Sequence, residues 1–93
     1  MIHSFRDKNT AKVFDRQPVR RWGPDLQRAA LRKLRMLNAA TTLDDLRALP
    51  GNRLEKLLGD RVGEWSIRVD GQWRLCFRWQ DGGAHDVELI DYH

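Results

Sequence analysis

The chain has 93 residues, of which 41% are hydrophobic and 32% are charged, and its formal net charge is +4. This size suits one domain, residues 1–93, and the hydrophobic content excludes extensive disorder. No apolar run approaches the ~18 residues of a membrane span, the N-terminus is not a secretory signal, and one cysteine excludes an internal disulfide. We therefore expect a cytoplasmic protein with no membrane segment, no metal site and no cofactor.

Arginine dominates the basic residues. There are 13 Arg and four Lys, and the sequence pI is about 9.8. Arginine forms planar, forked contacts with phosphates and carboxylates. The composition therefore favours an anionic partner, although net charge alone does not define a site.

The first 24 residues predict an edge strand, a short helix and a connector. Met1–Phe5 alternates briefly between apolar and polar residues. Asp7 suits the N-cap of a helix that reaches about Phe14. The stretch from Arg16 to Pro24 contains two prolines and a glycine and predicts the connector.

The main helix is predicted over Asp25–Ala40, with Pro24 at its first position. Apolar residues recur through it at helical spacing and predict one buried stripe. Arg28, Arg32 and Arg35 recur on another face. A solvated helix surface and a contact surface explain these arginines equally well.

A shorter helix and a weak strand connect the main helix to the second half. Thr42 and Asp45 have the spacing of a capping box and predict one turn of helix, which Pro50-Gly51 ends. Arg53–Leu58 is weakly patterned as a strand, and Gly59-Asp60 predicts the turn that follows it.

The second half predicts an antiparallel meander. Glu64–Val69, Trp73–Trp79 and Ala84–Tyr92 alternate between apolar and polar residues, and Asp70-Gly71 and Asp81-Gly82-Gly83 separate them as turns. The fold class is therefore α+β, with N-terminal helices packed on one face of a curved antiparallel β-sheet.

The sheet face away from the helices is predicted to be basic. It carries Arg68, Arg74, Arg78 and Tyr92. Only Glu64 and Glu88 share that face to offset the repulsion between cross-strand arginines. A bound polyanion would relieve the repulsion; a solvated polar face is the alternative.

The chain ends in three proton-handling side chains, Asp91, Tyr92 and His93. Cleavage of an RNA backbone needs a base for the 2′-hydroxyl, cations for the phosphorane and an acid for the leaving oxygen, and it needs no metal. In a regular strand Tyr92 points opposite to Asp91 and His93, so all three reach one substrate only if the chain end twists. The alternatives are a solvated tail and an RNA-binding protein without catalysis.

The sequence resembles a known family over essentially its whole length. The matching segments are Ile2–Phe5, Leu34–Thr41, Leu46-Arg47, Pro50–Leu54, Gly59–Gly63, Trp65–Val69, Gln72–Phe77 and Asp91–His93. They resemble the HigB-type toxins of the RelE superfamily, the plasmid-maintenance killer proteins that include GraT-like members.

The resemblance implies the toxin of a type II toxin–antitoxin system. It implies a ribosome-dependent, metal-independent endoribonuclease that cleaves mRNA in the ribosomal A site and inhibits growth. It also implies a HigA-type antitoxin that carries a helix-turn-helix. The toxin is then expected to bind operator DNA only as part of its complex with the antitoxin. A ribosome-binding or ribosome-assembly inhibitor that does not cleave RNA is the alternative function, and a partner that only docks an acidic protein is a third.

Site residues follow from the resemblance position by position. Asp91, Tyr92 and His93 match the catalytic C-terminal motif, in which His93 is the general acid or base. Arg74 matches the strand arginine that steadies the scissile phosphate. Arg68, Arg61, Arg78, Glu55 and Lys56 are the candidates for RNA contact.

The sequence departs from the family at one of these positions. Glu55 stands where some members have a catalytic histidine. The resemblance allows Glu55 to act as a base beside Lys56, and an exposed strand carboxylate is the alternative.

Overall fold

A computed structural model describes residues 1–92 and has an α+β architecture. Its helices are α1 (Lys8–Phe14), α2 (Pro24–Ala39) and α3 (Leu43–Arg47), and its strands are β1 (Glu55–Lys56), β2 (Glu64–Arg68), β3 (Trp73–Gln80) and β4 (Gly83–Asp91). Two 3₁₀ turns, Pro50–Asn52 and Gly59–Arg61, flank β1. Within the described residues, no helix has the length and apolarity required to cross a membrane.

The helices begin where the sequence predicts. A carboxylate oxygen of Asp7 accepts a hydrogen bond from the Thr10 amide at 3.0 Å and caps α1. Pro24 occupies the first turn of α2, where its missing N–H costs no hydrogen bond. Thr42 and Asp45 form the predicted capping box at the start of α3.

The core lies between the helices and one face of the sheet. The apolar stripe of α2 buries Ala30, Leu34 and Leu37 completely. Leu75 and Phe77 of β3 are buried to the same extent and belong to the same cluster. The helical stripe and the strand alternation therefore meet as predicted.

The four strands form an antiparallel meander in the order β1-β2-β3-β4. A bulge interrupts the last pairing, because Cys76 is opposite Glu88 while Arg78 is opposite His85. Asp86 absorbs the extra residue with a positive φ of 54°. The bulge lets Ala84 and Val87 both enter the core although they are three positions apart.

Two predicted strands are much shorter in the structure. Met1–Phe5 makes only isolated parallel bridges to β4, at Ile2 and Phe5, because the chain then turns away to begin α1. The predicted strand Arg53–Leu58 is reduced to the two residues of β1. Arg53 adopts left-handed backbone geometry, with φ 43°, and this leaves no room for an earlier start.

Candidate functional site

Arg74 is the most constrained basic residue on the sheet face that points away from the helices, here called the outer face. Its residue exposure is only 7%. Its Nε donates to the Ser66 hydroxyl at 2.8 Å, and its Nη2 donates to the Arg53 carbonyl at 2.5 Å and to the Ser66 carbonyl at 3.3 Å. These bonds fix the guanidinium plane, and Nη1 makes no hydrogen bond with any of residues 1–92.

The turn that supplies the Arg53 carbonyl is itself anchored from the core. The Asn52 side chain is fully buried and donates to the Leu46 carbonyl at 3.1 Å. Its carbonyl oxygen accepts from Lys33 Nζ at 2.7 Å. Burial, followed by the positive charges of Arg32 and Arg68, lowers the pKa of Lys33. Helix α2 therefore supports the position of an acceptor on the opposite side of the sheet.

A polar cleft of about 200 Å³ surrounds the Arg74 guanidinium. We call it the arginine cleft; its lining residues are Arg53, Glu55, Arg68, Asp70, Gly71, Gln72, Arg74 and Tyr92. The Tyr92 ring lies 5.6 Å from Arg74 Cζ and is 46% exposed. Arg68 is the cross-strand partner of Arg74, and Glu55 Oε2 lies 4.0 Å from Arg74 Nη2.

The arginine cleft combines the groups that a phosphodiester substrate needs. Two arginines lie side by side without a carboxylate directly opposite either one, which favours an anion between them. Tyr92 presents an exposed ring on which a base can stack. Glu55 is a solvent-accessible carboxylate that can accept a proton.

The predicted C-terminal motif is divided by strand alternation. Tyr92 shares the outer face with Arg74, as predicted. Asp91 is paired with Trp73 on the other face, and its Oδ2 accepts from Gln72 Nε2 at 2.9 Å. His93 lies outside the described residues.

Glu64 and Glu88, the strand carboxylates expected to offset the outer-face arginines, are engaged by other arginines. Glu64 and Glu88 pair with Arg61 at 3.0 and 2.8 Å, and both lie near Arg6 at 3.5 and 3.4 Å. The hydrogen bond to Glu88 raises the pKa of Arg61. The acids that were expected to offset Arg68, Arg74 and Arg78 therefore balance Arg6 and Arg61 instead, and the arginine cleft keeps its positive charge.

Cys76 lies beneath this ion-pair network. Arg61 joins β2 to β4 across the strand that carries Cys76, and the cysteine is fully buried. Burial raises the pKa of its thiol to about 11. The thiol is a packing group and not an activated nucleophile.

Three of the predicted RNA contacts lie away from the arginine cleft: Arg61, which belongs to the ion-pair network with Glu64 and Glu88, and Arg78 and Lys56. Arg78 is exposed on the outer face, two residues along β3 from Cys76 and opposite Glu64. Lys56 lies on the other face of β1, where its ammonium group is 5.8 Å from the Trp65 ring centroid.

The sequence interpretation assigned no role to Ser66, Gln72 or the Arg53 carbonyl. The only available signal for Ser66 was its place in the outer-face alternation beside Arg74. No sequence signal pointed to Gln72, because its hydrogen bond to Asp91 depends on the register of β4 against β3. Among residues 1–92, no group of three or more His, Cys, Asp or Glu side chains is arranged to hold a metal ion.

Comparison with known proteins places the chain among small bacterial toxins. Residues 3–93 match the family model described as the RelE-like toxin of type II toxin–antitoxin system HigB. The chain is 42% identical over 90 residues to Toxin HigB-1 of Vibrio cholerae, covering 96% of the chain and 95% of that toxin. It is 35% identical over 95 residues to Endoribonuclease HigB of Proteus vulgaris, covering all of both proteins.

Solved structures share the fold at low sequence identity. The YoeB–YefM complex from Staphylococcus aureus gives a TM-score of 0.62 at 13% identity, covering 100% of this chain and 98% of that one. YafQ from Escherichia coli gives 0.58 at 14%, covering 98% and 91%.

Proposed function

Because the chain belongs to the HigB family of RelE-like toxins of type II toxin–antitoxin systems, we propose that it arrests translation by cleaving mRNA in the ribosomal A site. It acts as an endoribonuclease, the activity named for its Proteus vulgaris relative. Its antitoxin is of the HigA type, carries a helix-turn-helix and is its only link to operator DNA. The toxin works in the bacterial cytoplasm, where its substrate is the mRNA on the 30S subunit.

The fixed guanidinium of Arg74 is the observation that carries this proposal. Its Nε and Nη2 are held by Ser66 and by the Arg53 carbonyl, so Nη1 is oriented before the substrate arrives. A donor fixed in this way stabilises the charge that develops on the phosphorane, because it need not reorganise during the reaction. Arg68 supplies a second positive charge beside it.

The remaining steps need a base, an acid and a nucleotide platform. The 2′-oxygen attacks phosphorus as a base takes its proton, the bond from phosphorus to the 5′-oxygen breaks, and an acid protonates that leaving oxygen. Glu55 is the base closest to Arg74 within the described residues, and His93 is the acid assigned by family resemblance. Tyr92 stacks on a base, and Asp91 orients His93.

Dependence on the ribosome fits the distribution of charge. Residues 8–39 contain nine Lys and Arg and two Asp, a net charge of +7, while all other residues together have eight basic and eleven acidic side chains, a net charge of −3. The part that carries the arginine cleft is therefore a weak attractor of free RNA. A ribosome that binds the helical half and presents the mRNA compensates for this weakness.

One observation keeps a second function open to test. Glu55 replaces the histidine of some family members, and a carboxylate is a weaker base than imidazole near neutral pH. A toxin that occupies the A site and blocks translation without cleaving mRNA is the alternative.

The test compares wild type, Arg74→Ala and Arg47→Ala on translating ribosomes by mapping new mRNA 5′ ends. Arg47 is an exposed residue of α3 paired with Asp44 and serves as the matched control. Wild type and the control should cut within codons at the A site, and Arg74→Ala should cut at least about a hundredfold more slowly. Growth arrest by the wild type with intact mRNA would reject cleavage and support the blocking function.

A further inference from the structure

A second cleft, of about 320 Å³, lies on the other side of the C-terminal end of β4. The N-cap of α1, the connector before α2 and the edge of β4 enclose it. We call it the tryptophan cleft; the residues used below are Asp7, Arg21, Trp22, Trp73 and Asp91. The bridges of residues 1–5 to β4 end at Phe5, and beyond them the edge of β4 meets α1, where Thr10 Oγ1 accepts a hydrogen bond from the Leu89 amide at 3.0 Å.

Two buried polar atoms of this cleft have no partner within the described residues. Trp22 is only 7% exposed, and its indole Nε1 donates to nothing. Asp7 uses Oδ2 to cap α1, whereas its Oδ1 is buried without a donor. Native proteins pair nearly all such groups with protein or ordered water, so an unpaired donor and an unpaired acceptor beside one cleft favour a polar occupant over an apolar one.

The walls of the cleft specify a planar ligand. The Trp22 and Trp73 rings meet edge to face, with their centroids 6.1 Å apart. The Arg21 guanidinium lies 5.9 Å from the Trp22 ring centroid on the solvent side. Aromatic and guanidinium planes of this kind stack on heterocyclic bases, and a nearby donor and acceptor match the edge of a base.

We propose that the tryptophan cleft binds a nucleobase of the mRNA adjacent to the cleaved linkage, and so contributes to codon preference. The proposal rests on the ribonuclease function inferred above. It adds a site in which the Trp22 ring turns towards the entering base, so that its indole N–H and the Asp7 Oδ1, both buried in the free protein, pair with the base edge.

The two clefts are adjacent, as the proposal requires. Gln72 lines the arginine cleft and Asp91 lines the tryptophan cleft, and their side chains are joined by the 2.9 Å hydrogen bond. Tyr92 follows Asp91 and faces the arginine cleft. An RNA strand whose phosphate lies at Arg74 therefore reaches the tryptophan cleft by crossing the end of β4.

Other occupants fit the chemistry less well. An apolar side chain from a protein partner would leave the Trp22 donor and the Asp7 acceptor unpaired. An acidic segment would meet the carboxylates of Asp7 and Asp91. A base satisfies both polar groups and carries its own negative charge at the phosphate, outside the cleft.

The first test detects binding without cleavage. The indole N–H signals of the full-length protein are followed by NMR while AMP, GMP, CMP or UMP is added at millimolar concentration. Trp22→Phe identifies the Trp22 signal by its disappearance, and Trp79, which lies near the far end of β3, is the internal control. A saturable shift of the Trp22 signal, with little change at Trp79, supports the proposal. No shift of Trp22 with any nucleotide overturns it.

The second test measures the base preference of mRNA cleavage. Trp22→Phe keeps an aromatic ring but removes the indole donor together with part of the ring, and Trp79→Phe, which makes the same truncation away from the cleft, is the matched control. On ribosomes programmed with each base in turn at the positions flanking the cut, Trp22→Phe should lose about tenfold of the discrimination at one position. An equal loss for all bases would show a structural role and reject the proposal, as would a loss of antitoxin affinity with unchanged base preference. If the wild type cuts no mRNA, the ribonuclease function fails, and the NMR titration still decides whether the cleft takes a base.

Discussion

Arginine is used in two different ways in the helical hairpin of residues 8–39 and on the outer face of the sheet. In the hairpin, Arg32 and Arg35 are exposed and form no ion pair with any residue from 1 to 92. On the sheet, Arg74 is buried and bonded through two of its nitrogens, and Arg61 bridges two glutamates. The hairpin carries the excess positive charge, and the sheet carries the oriented groups.

The difference separates the long-range attraction of a polyanion from the positioning of a group that contacts the reacting phosphate. Solvated charges act over roughly one Debye length, about 8–10 Å at physiological salt, and they impose no orientation. A guanidinium held by a hydroxyl and a carbonyl acts only at contact distance, but its geometry is set in advance. We infer that the hairpin brings the protein to a polyanion and that the sheet performs the chemistry.

Among the variants that compare the hairpin with the sheet, the largest effect is expected from removing the orientation of Arg74 while its charge is kept. Ser66→Ala deletes the acceptor of Arg74 Nε and leaves a buried donor unpaired. We expect kcat for mRNA cleavage on ribosomes to fall about tenfold to a hundredfold, since small misplacements of a reacting group are costly. KM should change little, because the charge is unchanged.

Rescue separates this positioning role from a loss of folding. Ser66→Thr retains a hydroxyl, so it should recover most of the lost kcat, and thermal melting should confirm that both variants fold. An unchanged kcat in Ser66→Ala would show that the backbone carbonyls of Arg53 and Ser66 are enough to fix the guanidinium.

A smaller effect is expected when the hairpin loses charge. The double variant Arg32→Gln/Arg35→Gln should bind ribosomes more weakly and reduce the slope of log affinity against log salt by about one for each phosphate that the protein no longer neutralises. The maximal cleavage rate at saturating ribosomes should stay the same. Arg47→Gln on α3 is the control, because Arg47 is already paired with Asp44.

The comparison of the hairpin with the sheet is most informative if the salt dependence of ribosome binding and the maximal cleavage rate are both measured on the same variants. A salt slope unchanged by the double variant would place the attraction elsewhere on the molecule. A lower maximal rate would mean that the hairpin also orients the substrate, and the division of roles would be wrong.

Local sequence signals were sufficient to predict where the helices begin and which strand residues share a face of the sheet. Asp7, Pro24 and Thr42 marked the helix starts, because capping depends on residues close together in the chain. Alternation placed Arg74 and Tyr92 on one face and Asp91 on the other, because strand periodicity is also local.

The remaining features depend on contacts between distant segments. The bulge at Asp86 uses a non-glycine residue with positive φ, which no local pattern signals. The partners of Arg74 come from β2 and from the turn before β1, and Trp22 meets Trp73 across about half of the chain. These pairings depend on register and packing and were out of reach of the sequence alone.

The smallest effect is expected from a variant that tests whether Arg61 shields Cys76 from solvent on the outer face. Native wild-type protein should resist thiol alkylation near pH 8, because burial raises the pKa of Cys76 to about 11. Arg61→Ala removes the bridge between Glu64 and Glu88 and should speed the alkylation several-fold, as measured by intact mass against time.

The same thiol gives a pH dependence with a definite sign. Its pKa is higher in the folded state than the ordinary value of 9.0, so its contribution to the free energy of unfolding is complete below pH 9 and decreases as the pH rises towards 11. Urea unfolding of wild type and Cys76→Ala across this range should show the steeper alkaline loss only in the wild type. Equal losses would mean that the thiol has the same pKa in the folded and unfolded states and that its burial does not contribute to the pH dependence of stability.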